Sequence, residues 1–285
     1  MNSARAATMT WDRIFHTLCT LCLVLPLACG TWFVVDTVTR GAPLLLDLVR
    51  SSDVAFVEVW VHARLVGFGA CIAIPVGIGA AVYLEQPTRP GTFTRIAERS
   101  ISLLAAIPSV LYGICGLTLL VVCLGVQSTF VTKTICLALF LFPIVVERAR
   151  VALRTVSPQI REASLVLGAD PLRTLVHVTL PLSLPVLASE MFVVLARAFG
   201  TVAPLLVVDV FTPQPKIEFP MPLSVRIFRS GTDPDPSRQS LASAATLMLL
   251  GLLIVMHVAG RRLANRRKTT AISQVRDGLS ERGAS

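Results

Sequence analysis

Arg197 lies inside an apolar run that extends from about Leu180 to Val208, where a permanent cation needs either a partner or a purpose. Placing an arginine at the centre of a bilayer costs about 2.5–3.5 kcal/mol on insertion scales. Its guanidinium offers a planar fork of N–H donors and stays charged at any working pH, which suits loose contact with an oxyanion in transit. Glu190 precedes it by seven residues, nearly on the same helical face but about 10 Å along the axis, too far for a direct pair without bending. Two readings stay open: both charges satisfy polar groups between packed helices, or Arg197 faces a polar pathway.

Other chemistry-bearing residues assemble no site. Cys19 and Cys22 have C-x-x-C spacing but no neighbouring ligands, and His16, His62, His177 and His257 fall on separate segments, so no metal is expected. The remaining cysteines also sit in apolar runs, where they act as small hydrophobes rather than a disulfide framework. No G-x-x-x-x-G-K-[ST] occurs, so the chain cannot cradle ATP by a P-loop. An intramembrane hydrolase would need a nucleophile and base at matching depth, and Ser102, Ser109 and the histidines supply no such set. A plain membrane scaffold is the other rival. No catalytic residue and no cofactor are expected, and energy must come from a partner.

The elements that position these residues follow from composition. Of 285 residues, 54% are hydrophobic and only 15% charged, against about 25% charged in a soluble domain. That excludes a soluble enzyme, a disordered tail and a secreted disulfide scaffold, and points to an all-α integral membrane protein. Net charge is +9, yet seven basic residues (Arg261, Arg262, Arg266, Arg267, Lys268, Arg276, Arg282) follow the last apolar run. Such a skirt suits anionic membrane lipids rather than nucleic acid.

Six stretches are apolar enough to cross a bilayer as helices. These are Ile14 to Val35, Leu65 to Leu84, two from Ser100 to Val146 split near Gly125 to Thr132, about Leu180 to Val208, and about Leu241 to Ala259. The run Leu25-Pro26-Leu27-Ala28-Cys29-Gly30 is like a lipoprotein cleavage site, but Pro26 is unsuited to it, so the first helix is read as retained. With six crossings both termini share one side, which carries 17 Lys and Arg against 8 on the other. The positive-inside rule therefore makes residues 1–13 a cytoplasmic N-terminus, 14–259 the six-span domain and 260–285 a basic cytoplasmic tail. The loop Asp209 to Arg238 is then external.

The soluble segment Ser157 to Pro181 has its own punctuation. Ser157-Pro158 starts a short helix, Gly168 ends it, Asp170-Pro171 starts a second, and Pro181 is expected to interrupt the next pattern. Periodicity alone fits an amphipathic linker as well as a docking element.

Residue order is more specific: Glu162-Ala163-Ser164, three residues, Gly168, nine residues, then Val178-Thr179-Leu180-Pro181. This resembles the EAA loop of bacterial ABC-transporter permease subunits. Further stretches resemble the second membrane subunit of the phosphate importer: Ile74-Pro75-Val76-Gly77, Ala106-Ile107-Pro108-Ser109-Val110-Leu111-Tyr112-Gly113, Ala196-Arg197-Ala198-Phe199-Gly200 and Met221-Pro222-Leu223-Ser224-Val225-Arg226. The resemblance covers roughly residues 60 to 260. It implies the type I ABC importer permease fold, in the bacterial inner membrane, with a cytoplasmic coupling helix whose Glu162, Ala163, Ser164, Gly168, Ala169, Leu180 and Pro181 engage an ATPase. It also implies three kinds of partner: a second permease subunit, ATP-binding subunits and an extracytoplasmic solute-binding protein. The transported solute would be inorganic phosphate or, alternatively, another oxyanion or a small organic solute.

The charge pattern departs from that family at two places. Thr201 and Val202 stand where relatives carry Glu-Thr, and Glu147 stands four residues after Pro143 where they carry arginine, with Arg148 and Arg150 just beyond. Either Arg148 or Arg150 replaces the missing cation, or the solute differs. The candidate pathway set is thus Arg197, Glu190, Glu147, Arg148, Arg150 and Thr201.

Overall fold

The computed structural model describes residues 2–50, 53–85, 91–126, 129–211 and 221–282, with side chains for 15–45, 57–85, 91–126, 129–211 and 221–262. The basic side chains from Arg266 onward, and residues 212–220 of the segment Asp209 to Arg238, lie outside the described residues.

The described residues form helices joined by short breaks and turns, with no strand among them: α1 (Asn2–Arg50), α2 (Asp53–Leu84), α3 (Thr92–Ala106), α4 (Ser109–Leu117), α5 (Thr129–Leu153), α6 (Pro158–Val166), α7 (Pro171–Thr174), α8 (Leu180–Gly200), α9 (Ala203–Phe211), α10 (Leu223–Gly231) and α11 (Pro236–Arg282). Five helical stretches are long and apolar enough to cross a membrane unaided, and the bent pair α3–α4 makes a sixth.

At the centre, α5 packs against α2 and α8, burying Leu65, Leu137, Leu141, Val145, Leu153 and Val194. Gly77 permits the α2–α5 approach, since a Cβ there would stand 2.5 Å from Val145 Cγ1. Small residues at helix contacts are the general device for close packing in lipid, where apolar surface alone gives no drive to associate. By contrast α1 lies at the periphery, with its apolar side chains turned outward.

Three expectations need correction. The first two helices extend beyond the apolar stretches Ile14 to Val35 and Leu65 to Leu84: α1 continues to Arg50 and α2 begins at Asp53. Charge ends an apolar stretch without ending a helix, and Asp36 and Arg40 form an i,i+4 pair of 2.8 Å that supports the continuation. The third crossing is not straight either. Its two halves meet at 102° around Ile107–Pro108, because the residue before a proline is pushed out of helical backbone. Tyr112 Oη donates to the Leu104 carbonyl across this bend (2.7 Å), beside the Ile107 N–H that the same carbonyl accepts at 3.0 Å, and so ties the two halves together.

Pro181, finally, interrupts nothing. The turn after α7 widens to π-type pairing over Leu175–Thr179 and runs directly into α8. The wider turn displaces the carbonyl that the proline ring would otherwise strike. The break in the fifth crossing comes later, at Thr201–Val202, before α9 resumes.

Candidate functional site

Two helix interruptions face each other. Ile107–Pro108 of the third crossing and Thr201–Val202 of the fifth both line a cavity of about 450 Å³, together with Ser109, Phe140, Arg197 and Gly200. They are brought together because α4 lies against α9: a Cβ on Gly113 would stand 2.9 Å from Pro204 Cα. Two nine-residue helices, α4 and α9, therefore begin at the cavity wall. The first N–H groups of a helix have no intrahelical acceptor, and its N-terminus carries partial positive charge.

Arg197 is open to this space. Its guanidinium carbon sits 5.7 Å from the centroid of the Phe140 ring, an apolar support that leaves the donors free for a ligand. Among the described residues no carboxylate lies within ion-pair distance of it. Thr201 Oγ1 donates back to the Arg197 carbonyl (2.7 Å), closing the end of α8. The lining contains no acid.

The other sequence candidates lie elsewhere. Glu190 is paired with Arg148 at 3.2 Å, joining α8 to α5 away from the cavity. Arg150 meets Glu85 at 2.7 Å and Glu98 at 2.6 Å, while Arg154 meets Glu85 at 2.9 Å. These four charges tie α2, α3 and α5 at the end of the bundle nearest α6. Burial pushes the Glu85 carboxyl upward, but the hydrogen bonds and charges of Arg154 and Arg150 prevail and hold it below the usual carboxylate range. Arg154 is raised in turn by its bond to Glu85. Glu147, half-buried, does not line the cavity. The cavity thus gathers Arg197 and Thr201 but not Glu190, Glu147, Arg148 or Arg150.

At that same end α6 forms an elbow with a built-in stop. Gly168 adopts φ +86°, and the Gly168 and Ala169 amides donate to the Leu165 and Ser164 carbonyls at 3.0 and 3.1 Å. This is a Schellman cap, which requires a left-handed residue. Ser164 Oγ and Thr174 Oγ1 lie 2.9 Å apart, bracing α6 on α7. Arg161 donates to the Leu153 carbonyl, holding α6 to the end of α5. Glu162 and Ala163 are exposed, Leu180 packs on the core, Pro181 is exposed, and Val166 and Leu167 at the tip are each 87% exposed.

Sequence reasoning missed the opposite end. Lys133 pairs there with Asp209, joining α5 to α9, and Arg226 pairs with Glu58, joining α10 to α2. His62, one turn beyond Glu58, contacts the Phe199 carbonyl at 3.1 Å. An i,i+4 Glu–His spacing was the available signal, but it lay outside the apolar stretches read as crossings.

With this geometry in place, likeness to known proteins becomes interpretable. The phosphate transport system permease protein PstA 1 of Mycobacterium tuberculosis (strain CDC 1551 / Oshkosh) is 27% identical over 209 residues, covering 71% of this chain and 68% of that protein. The phosphate transport system permease protein PstA of Yersinia pestis is 26% identical over 249 residues, covering 83% and 84%. A bacterial ABC transporter involved in importing the acidic polysaccharide alginate has a chain that superposes with TM-score 0.62 at 14% identity, covering 89% of this chain and 99% of its own. That likeness speaks to fold, the type I ABC importer permease fold. A family model matches residues 73–269, a span that contains the α3–α4 bend, the elbow and the α8–α9 break. The chain is a multi-pass membrane protein that belongs to the family of binding-protein-dependent transport system inner membrane components.

Proposed function

We propose that this ABC importer permease subunit passes inorganic phosphate through the cavity between the two helix breaks, with Arg197 as its anion contact. The observation that carries this reading is an arginine without a carboxylate partner at a cavity bordered by two helix N-termini. Positive helix ends and guanidinium both favour an oxyanion, and neither encloses it, so release stays easy. The names of the two phosphate permeases support the same solute.

In this reading a separate ATPase grips the elbow. The exposed Val166 and Leu167 at the tip of α6 supply an apolar knob, and Glu162 and Ala163 the face beside it. ATP-driven closure of the ATPase pair would shift α6, and with it α5 through Arg161 and the ion network. Each end state then needs its own favoured contacts. A second permease subunit completes the pathway, a solute-binding protein delivers the anion outside, and the elbow and both termini face the cytoplasm of a bacterial inner membrane.

A second reading, another oxyanion, is favoured by one observation: nothing acidic lines the cavity to accept a phosphate proton, Thr201 standing beside Arg197 there. The test is labelled phosphate uptake with competing anions, for the native chain and Arg197→Ala. Uptake is expected to fall about tenfold or more in the variant, with assembly retained. Unchanged uptake would remove Arg197 from the path, and stronger competition by sulfate than by unlabelled phosphate would favour the second reading.

A further inference from the structure

The break in the fifth crossing leaves carbonyls that must find partners, because the last four C=O groups of a helix have none within it. Two are satisfied locally. The Arg197 carbonyl accepts from Thr201 Oγ1 at 2.7 Å, and the Ala198 carbonyl accepts from the Thr201 amide at 3.2 Å. The third, Phe199, is held by a different helix: His62 Nε2 lies 3.1 Å from it. A carbonyl only accepts, so Nε2 carries the proton. The His62 ring also stacks at a tilt on the Phe199 ring, with centroids 5.3 Å apart.

This grip is costly. His62 and Glu58 are each only 1% exposed, and Ser224 is fully buried. His62 Nδ1, Glu58 Oε1 and Ser224 Oγ are buried with no hydrogen-bond partner. An apolar residue at position 62 would fill the site without that desolvation penalty. What an apolar residue could not do is hold the Phe199 carbonyl. One turn before His62 on α2, Glu58 receives Arg226 of α10, so the same stretch of α2 is clamped to the outer helix and to the break.

We propose that His62 is a positioning residue: by holding the Phe199 carbonyl it fixes the end of α8, and so keeps Arg197 and Thr201 at the cavity. The Glu58–Arg226 pair extends this hold to α10, linking the surface of the far end to the anion contact. The consequence for transport rests on reading Arg197 as that contact, whereas the hold on the break does not.

The two parts separate experimentally in the assembled transporter. His62→Leu removes the donor, and His62→Gln retains an N–H that can reach a carbonyl. Backbone hydrogen exchange of the segment 199–203 is expected to quicken about tenfold in His62→Leu and to stay within about twofold in His62→Gln. The KM for inorganic phosphate is expected to rise about tenfold in His62→Leu, with Vmax within about twofold and recovery in His62→Gln. Unchanged exchange in His62→Leu, or equal damage from the glutamine, would overturn the positioning role. Faster exchange with unmoved KM, while Arg197→Ala does raise KM, would overturn the link from break to anion contact. Faster exchange with KM unmoved by either variant upholds the hold on the break and counts against Arg197 as the contact.

Discussion

The two ends of the bundle are both fastened by ion pairs, but they differ in how far those charges reach solvent. Far from the elbow, Lys133–Asp209 and Glu58–Arg226 are buried pairs, with side-chain exposures of 9% and 3% for the first and 2% and 15% for the second. Near the elbow, Glu85, Glu98, Arg150 and Arg154 share bonds in a net whose centre, Arg150–Glu85, is also largely buried, with exposures of 14% and 11%, but whose rim reaches solvent, Glu98 being 36% and Arg154 60% exposed. Breaking a buried pair leaves an uncompensated charge and costs about 3–5 kcal/mol, while an exposed pair is worth about 0–1 kcal/mol. The far end is therefore held in one geometry. At the elbow end the rim charges Arg154 and Glu98 can exchange partners cheaply, as the proposed movement of α6 requires.

The sharpest way to break this comparison is at the elbow stop. Gly168→Pro demands φ near −65° where the chain adopts +86°, so α6 loses its cap and its angle. Uptake is expected to vanish while the chain remains in the membrane; full uptake would remove the elbow from the mechanism. Lys133→Met should come next in size, lowering stability by about 3–5 kcal/mol. Lys133→Met with Asp209→Leu should recover most of that loss in thermal unfolding. Equal unfolding of the single and double variants would show that the far end is not held by charge.

Acid should loosen the elbow net by a smaller amount. Because the folded-state Glu85 carboxyl lies below the usual carboxylate range, its stabilisation is fully present above that range and is lost as pH falls through the folded value. Unfolding temperature in Glu85→Gln should thus trail the native chain at pH 7, with the gap closing only in acid below the usual carboxylate range. A gap that closes near neutral pH would contradict the assignment. Smallest of all, Arg154→Ala should cost under about 1 kcal/mol, since Arg150 still pairs with Glu85. A loss as large as that of Lys133→Met would erase the distinction between the two ends.

Local rules made much of this readable in advance. Six apolar stretches reappear as crossings, although one is bent. Gly168 ends α6 as expected from its residue type, because a left-handed cap is a property of one backbone position. Pro181 misled, since proline was read as a break while the π-type turn before it made room. Glu190 misled differently. It was weighed against Arg197 on its own helix, and its partner proved to be Arg148, 42 residues away on another.

By itself, then, the sequence determined that the chain lives in a bilayer, which stretches cross it, where the elbow helix begins and ends, and that one arginine must be accounted for inside an apolar run. Those outcomes depend on neighbours within a turn or two and on the cost of exposing peptide groups to lipid. Only the tertiary structure decided which charges meet. Glu58 and Arg226 are 168 residues apart, and the two breaks around Arg197 lie on different crossings. An ion pair depends on separation in space, and helix packing through glycines such as Gly77 and Gly113 sets that separation.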